Sequence, residues 1–298
     1  MMSSQLFYIY ALSPIHMGTG AAVGGIDLPH SREAATRLPN VPGSGIKGVW
    51  RDQSPSTTPE TIRLFGSDWS EGTRDQGALL FSDAWLLCMP IMSYVGDFAW
   101  VTSPMSLARF ARERHHTLPS AKVPGLPLVS ENQAKVTNAC TLKHADELYL
   151  HEFKMKAVCH PHAQDWAELI AREVFAGEPD FQAAFIQRFV VVPEAELVHL
   201  SNAAAHVPMR NALDDNKTVK DGALWSEENM PTETIFWGTV AADTLRGRDN
   251  ITRKGSDSLA QFMTLAKKTQ RLQFGGKATI GRGMCRFVLP TTTERGAA

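Results

Sequence analysis

Apolar and polar positions divide this chain into segments with distinct periods. Gln5–Leu12 (QLFYIYAL) is an aromatic and aliphatic run that predicts a buried strand. Ala78–Met89 (ALLFSDAWLLCM) predicts a second core strand, stopped by Pro90. The alternation of Leu148, Leu150, Phe153, Met155 and Ala157 predicts one strand over Glu147–Val158. The β-branched and aromatic run Thr234–Ala242 predicts another, and Arg271–Phe274 and Met284–Leu289 close the chain as strands.

Helical spacing marks Ser44–Gln53, Pro59–Phe65, Asp165–Phe175 and Phe181–Phe189. It also marks Ser103–Arg114, where Pro104 suits a first turn and Leu107, Phe110 and Ala111 share a face. In Ser256–Thr269, Leu259, Phe262, Met263 and Ala266 point inward. Leu118–Gly125 is a proline-rich surface loop. Ala203–Asp221 is polar, with a turn cluster at Asn211, Asp214, Asp215 and Asn216, and reads as an exposed hairpin arm. Without its insertions the order is strand, helix, strand, strand, helix, strand. That order predicts an α+β, ferredoxin-like (RRM-like) sheet with the helices on one face. One domain over 1–298 is expected, with its core at about 1–94 and 231–298, insertions at about 95–200 and the arm at about 201–230.

Composition adds two constraints. Of 298 residues, 43% are hydrophobic, enough for a substantial core. The net charge of −1 hides a segment, Arg246–Arg286, with ten Lys/Arg against Asp249 and Asp257. A local basic surface suits a polyanion on one face, although an ordinary solvated face has the same composition. The four cysteines form no C-x-x-C pair, as in a reducing cytoplasm. The Leu6–Leu12 apolar run is too short for a leader or a membrane helix, so no membrane partner is expected.

The densest candidate chemistry lies between His16 and Gly48, which hold seven glycines, the carboxylate of Asp27 and Lys47. The far end carries a second such stretch, Gly275-Gly276-Lys277 to Arg282-Gly283, which suggests one site built from both termini. Neither stretch is a phosphate-binding P-loop: Gly48 follows Lys47, and Ala278 follows Lys277. Gly24-Gly25-Ile26-Asp27-Leu28-Pro29 cannot open the helix of a dinucleotide site, and no G-x-S-x-G elbow occurs. The aromatic consensus of RNA-recognition sheets is missing too. Cys140, His144, His151, Cys159, His160 and His162 include plausible metal spacings but lack a second standard pair, so zinc is not expected. A lone Asp in a glycine loop is either a turn former or a reactive carboxylate. Gly43-Ser44-Gly45 with Lys47 and Arg51 is either a helix start or a phosphate cradle.

Several segments decide between these readings. IHMGTGAAVGGIDLPHSREAATRLPNVPGSGIKGVWR resembles the N-terminal motif of RAMP-superfamily CRISPR proteins, in particular the backbone subunit of the type III-B (Cmr) effector complex. LLFSDAWLLCMPI, DFAWVTSPMSLARF, GALWSEENMPTETIFWG and LQFGGKATIGRGMCRF resemble the same family. The chain departs from the family pattern at His30, where a Gln-type residue is common, and at Ser93–Phe98, where basic residues are usual.

The resemblance implies a prokaryotic, cytoplasmic protein that stacks with further copies of itself along a guide CRISPR RNA, beside other subunits of the complex, and holds a complementary target RNA. It implies an extended "thumb" that displaces target nucleotides, with Val207 and Met209 as candidate wedge residues. It implies that Asp27, with a divalent ion such as Mg or Mn, cleaves the target. His16 and Glu227 are further candidates for that chemistry, and either Glu227 or Glu228 is placed to approach Asp27 in the filament. Gly43, Ser44, Gly45, Lys47, Arg51, Gly275, Gly276, Lys277, Arg282 and Gly283 become the expected guide contacts. A non-cleaving scaffold of the same superfamily, and a stand-alone glycine-loop enzyme for a phosphorylated small molecule, are the alternatives.

Overall fold

From Leu6 to Ala11 the first strand is apolar throughout because both of its faces are covered. Phe7, Ile9 and Ala11 join one core cluster, and Leu6, Tyr8 and Tyr10 join another on the opposite side of the sheet. A computed structural model describes residues 3–20, 25–54, 58–67, 76–246 and 252–290. Gly24, and residues 247–251 of the basic segment, lie outside the described residues.

In chain order the elements begin with β1 (Ser3–Ala11), β2 (Asn40–Val41), α1 (Gly43–Asp52), α2 (Pro59–Phe65), β3 (Leu79–Phe81) and β4 (Ala84–Met92). The middle of the chain supplies β5 (Phe98–Thr102), α3 (Pro104–Thr117), β6 (Gln133–Val136), β7 (Glu147–Leu150), β8 (Phe153–Cys159), α4 (Pro161–Val174), α5 (Pro179–Arg188), β9 (Phe189–Val191) and α6 (Glu194–Ala203). There follow β10 (Met209–Leu213), β11 (Val219–Ser226), β12 (Ile235–Ala242), β13 (Leu245–Arg246), β14 (Thr252–Arg253), α7 (Gly255–Lys268), β15 (Arg271–Gln273) and β16 (Met284–Val288).

The fold is mixed α+β. One 12-stranded sheet runs β15-β16-β1-β12-β4-β5-β9-β6-β8-β7, with β2 on β4 and β3 on β12. The expected strands and helices of the core are present as β1, α1, β4, β12, α7 and β16, and its strands lie in the order β16-β1-β12-β4. The inserted region continues this sheet through the β4–β5 pairing.

The two core helices share one face, where Ile46, Trp50 and Phe262 of α1 and α7 pack, while α3, α4 and α5 of the inserted region cover the other through Phe110, Trp166 and Phe185. Three expectations are corrected. The second core strand breaks at Ser82-Asp83, not at Pro90. Asp83 turns there to accept the Gly43 N–H at 2.8 Å, while Cys88 is the last β4 residue opposite β12, so Pro90 falls where one edge is free. Glu147–Val158 is a hairpin of β7 and β8, turning at His151, whose φ is +49°. Finally, the arm starts later than expected. Ala203 ends α6, and the hairpin pairs Met209 with Ser226 around a turn in which Asp214 accepts from the Asn216 and Thr218 backbone N–H groups. Strands β2, β5, β6, β9, β13 and β14 and helix α6 have no counterpart among the elements expected from the sequence.

Candidate functional site

The glycine-rich segment after β1 is pinned to the base of the β10–β11 hairpin. Leu28 N–H donates to the Ser226 carbonyl at 3.1 Å, and Glu228 N–H donates to the Leu28 carbonyl at 2.9 Å, a short parallel pairing. Within it, Asp27 and Ser226 face each other. The Ser226 backbone N–H and its hydroxyl donate to Asp27 Oδ2 at 2.8 and 2.9 Å, and the Asp27 N–H donates back to Ser226 Oγ at 2.9 Å. Asp27 is exposed. The backbone bond from Ser226, then its hydroxyl bond, hold the Asp27 carboxyl below the usual carboxylate range. Both serine bonds end on Oδ2, so Oδ1 is not engaged by Ser226.

Strand geometry places Asp27 relative to the arm. Directly opposed residues share a face and successive residues alternate. Met209 opposes Ser226 and Asn211 opposes Leu224, so Met209 and Leu224 lie on the face of the hairpin where the Ser226 side chain meets Asp27. Both are exposed, at 61% and 58%, as is Val207 at the entry to the hairpin. Arg210 opposes Trp225 on the other face.

Glu227 belongs to that second face. Its carboxylate is fully buried, with Arg210 Nε and Lys277 Nζ each 3.9 Å from Oε2 and, among the described residues, no hydrogen-bond partner on either oxygen. Lys277 Nζ also stands 5.6 Å above the Trp225 ring. Glu228 turns the opposite way, accepting from the His30 N–H at 2.9 Å and pairing with Arg32 at 2.5 Å. Neither glutamate is hydrogen-bonded to Asp27; the residue that is, Ser226, went unnoticed in the sequence. In the sequence it is only the residue before the two acids of GALWSEE, a place that assigns it no role.

His16 joins the two ends of the chain. Its Nδ1–H donates to the Glu228 carbonyl at 2.7 Å, and its own carbonyl accepts the Gly276 N–H at 3.0 Å. Gly275 has φ +82°, and a Cβ there would stand 2.2 Å from the His16 carbonyl oxygen, so only glycine fits. Met17 bridges the two glycine stretches: a methyl at Gly45 would meet its Cε at 3.0 Å, and one at Gly275 its Sδ at 2.7 Å. The stretches at opposite ends of the sequence therefore do meet. Gly283 N–H donates to the Pro14 carbonyl at 2.8 Å, and Arg282 N–H to the Lys277 carbonyl at 3.2 Å.

The expected guide contacts of α1 are partly engaged within the chain. Asp83 takes the Gly43 N–H, and Lys47 Nζ donates to the Leu79 carbonyl at 2.9 Å. Burial, and then the charge of Arg51, hold the Lys47 ammonium below its ordinary pKa. Ser44 is exposed, and Gly45 and Arg51 are half-buried.

His30, three residues after Asp27, is 2% exposed. Its Nδ1 accepts the Met17 N–H at 3.1 Å, and its Nε2 has no hydrogen-bond partner among the described residues. Burial first, then the charges of Arg32 and His16, push its pKa down to about 3, so the imidazole is neutral.

No group of three or more His, Cys, Asp or Glu arranged to hold a metal occurs among the described residues. Asp27 offers a single hard oxygen donor at the surface. That donor set fits an ion such as Mg²⁺, which keeps water and substrate phosphate as its other ligands, and does not fit a closed zinc centre. No helix among the described residues is long and apolar enough to cross a membrane.

A family model of the RAMP superfamily matches residues 8–286. The chain is 26% identical to the CRISPR system Cmr endoribonuclease Cmr4 of Pyrococcus furiosus, over 99% of this chain and 98% of that protein. It is also 26% identical to the CRISPR system CMR subunit Cmr4 of Saccharolobus solfataricus, over 93% of this chain and 94% of that one. Its fold matches the crystal structure of oligomeric Cmr4 from Pyrococcus furiosus with a TM-score of 0.72 at 21% identity, covering 98% of this chain and all of the other. A chain of the type III-B Cmr-beta complex bound to cognate target RNA matches with a TM-score of 0.72 at 20% identity, covering 96% of each chain.

Proposed function

The chain belongs to the RAMP superfamily, and we propose that it is a backbone subunit of a type III-B CRISPR ribonucleoprotein that binds guide CRISPR RNA and cleaves complementary target RNA. The observation that carries this reading is the pairing of an exposed, ionised Asp27 with the base of an apolar-tipped hairpin. It occurs in a chain aligned end to end with a protein named a Cmr endoribonuclease.

The roles follow from position. Met209, Leu224 and Val207 present apolar surface that inserts between target bases and opens the duplex locally. Asp27, on the same hairpin face, meets the displaced backbone and orients the 2′-hydroxyl for in-line attack on the adjacent phosphate. Asp27 would also be the protein ligand of a divalent ion, Mg or Mn, which when bound would stabilise charge on the phosphate. His16, with its Nδ1–H and carbonyl both committed, anchors the C-terminal loop to the hairpin base. Guide phosphates are taken by the start of α1 at exposed Ser44 and half-buried Gly45, by Arg51 and Lys47, and by Lys277 and Arg282 of the C-terminal loop, which Gly275, Gly276 and Gly283 shape through their contacts to Pro14 and His16. Further copies of the chain and other Cmr subunits complete the assembly.

The test is reconstitution with guide CRISPR RNA, the partner subunits and end-labelled complementary RNA in Mg²⁺. Discrete, regularly spaced cuts support the proposal. A guide-loaded complex that binds target and leaves it intact reduces the chain to a scaffold.

A further inference from the structure

We propose that Ser226 is the positioning residue of the cleavage centre, fixing which oxygen of Asp27 faces the target RNA and tying that oxygen to the hairpin; the inference rests on the reading of Asp27 as the cleaving residue. The geometry is specific. Three hydrogen bonds of 2.8, 2.9 and 2.9 Å join only these two residues, and the serine hydroxyl takes part in two of them, donating to Oδ2 and accepting from the Asp27 N–H. One carboxylate oxygen is thereby committed and the other is directed away from the serine. A free aspartate on a glycine-rich loop would sample several rotamers, and productive geometry would be a fraction of them.

The same contact places the carboxylate relative to the arm. Ser226 is the last residue of β11 and opposes Met209 at the start of β10. The exposed apolar residue that enters the duplex and the serine that holds the carboxylate are thus cross-strand neighbours. A shift of the hairpin carries Ser226 with it, and Asp27 with Ser226. On this view Glu227 contributes to the neighbouring face instead, through Arg210 and Lys277. Nothing in the sequence pattern separates a serine with this duty from an ordinary strand-ending serine; the separation comes from the reciprocal bonds.

The experiment uses the assembled complex with Ser226→Ala, Ser226→Thr and Asp27→Ala. It follows single-turnover cleavage of a labelled target across a range of complex concentrations, with guide retention measured alongside. Ser226→Ala keeps the backbone donor and loses both hydroxyl bonds, so the saturating rate is expected to fall about tenfold or more, the loss of a bond to a charged group. The complex concentration giving half the maximal rate stays unchanged, and Ser226→Thr restores the rate. Three results overturn the inference while leaving Asp27 in place: wild-type cleavage by Ser226→Ala when Asp27→Ala is inactive, no rescue by threonine, or a matching loss of target affinity. Wild-type cleavage by Asp27→Ala overturns the reading of Asp27 itself.

Discussion

Arg32 Nη2 stands 2.5 Å from Glu228 Oε1, with both side chains nearly buried, and this pair fastens the aspartate loop to the base of the hairpin. Arg32 also donates to the Arg37 carbonyl at 3.0 Å. Replacing Arg32 by Ala leaves the Glu228 carboxylate buried without its cation. Removing one partner of such a pair costs about 3–5 kcal/mol. Urea unfolding is expected to show that loss, with target cutting reduced more than guide retention. An unchanged unfolding midpoint would contradict the clamp.

A second prediction concerns acid. His30 has a pKa near 3 in the fold, against an ordinary value near 6.5 when unfolded. Between those values the unfolded chain binds the extra proton, so stability is complete above about pH 6.5 and falls as pH drops toward 3. The limiting slope for one such group is about 1.4 kcal/mol per pH unit. Thermal melts from pH 7 to pH 5 should show an early decline. His30→Asn, which keeps an acceptor for the Met17 N–H, should flatten it. Equal slopes in both proteins would contradict the assignment.

How much of this was legible in the sequence depended on whether a residue's partner was local. β1 carries an unbroken apolar run and α7 a helical period in their own residues, and α2 was expected at its observed bounds, Pro59–Phe65. β9, three residues long, has no room to show a period; its place comes from parallel pairing with β5. The break at Ser82-Asp83 was hidden because apolar residues flank it on both sides, and its cause, the Gly43 N–H, is 40 residues away. Asp27 was visible through the glycines around it, and Ser226 was not, since the two residues are 199 positions apart. Glu227 and Glu228 look alike in sequence and face different partners in the fold.

A third prediction follows from the junction of the two chain ends. Ala at Gly275 must adopt φ +82° and place a methyl 2.2 Å from the His16 carbonyl oxygen. Gly275→Ala is expected to destabilise the protein by more than about 1 kcal/mol. It should also loosen the His16 contact to Glu228, read as faster hydrogen exchange of the Gly276 amide. Ala at Gly281, where φ is +76° but a Cβ meets nothing within 4 Å, serves as the control for backbone strain alone.

The hairpin supplies the fourth. Met209 and Leu224 are 61% and 58% exposed, so replacing both with Ser should change stability by no more than about 0.5 kcal/mol each. Guide retention should be unaffected. Cleavage should drop if, as proposed, these residues form the wedge that opens the duplex beside Asp27. Wild-type cleavage by the double variant would show that these residues do not act on the target.

The most direct test of the account is target cleavage by the assembled, guide-loaded complex carrying Asp27→Ala. Loss of a positioned acid–base group lowers rates by about 100-fold or more. The account predicts a loss of that size, with guide and target still bound. Cutting at the wild-type rate would contradict it.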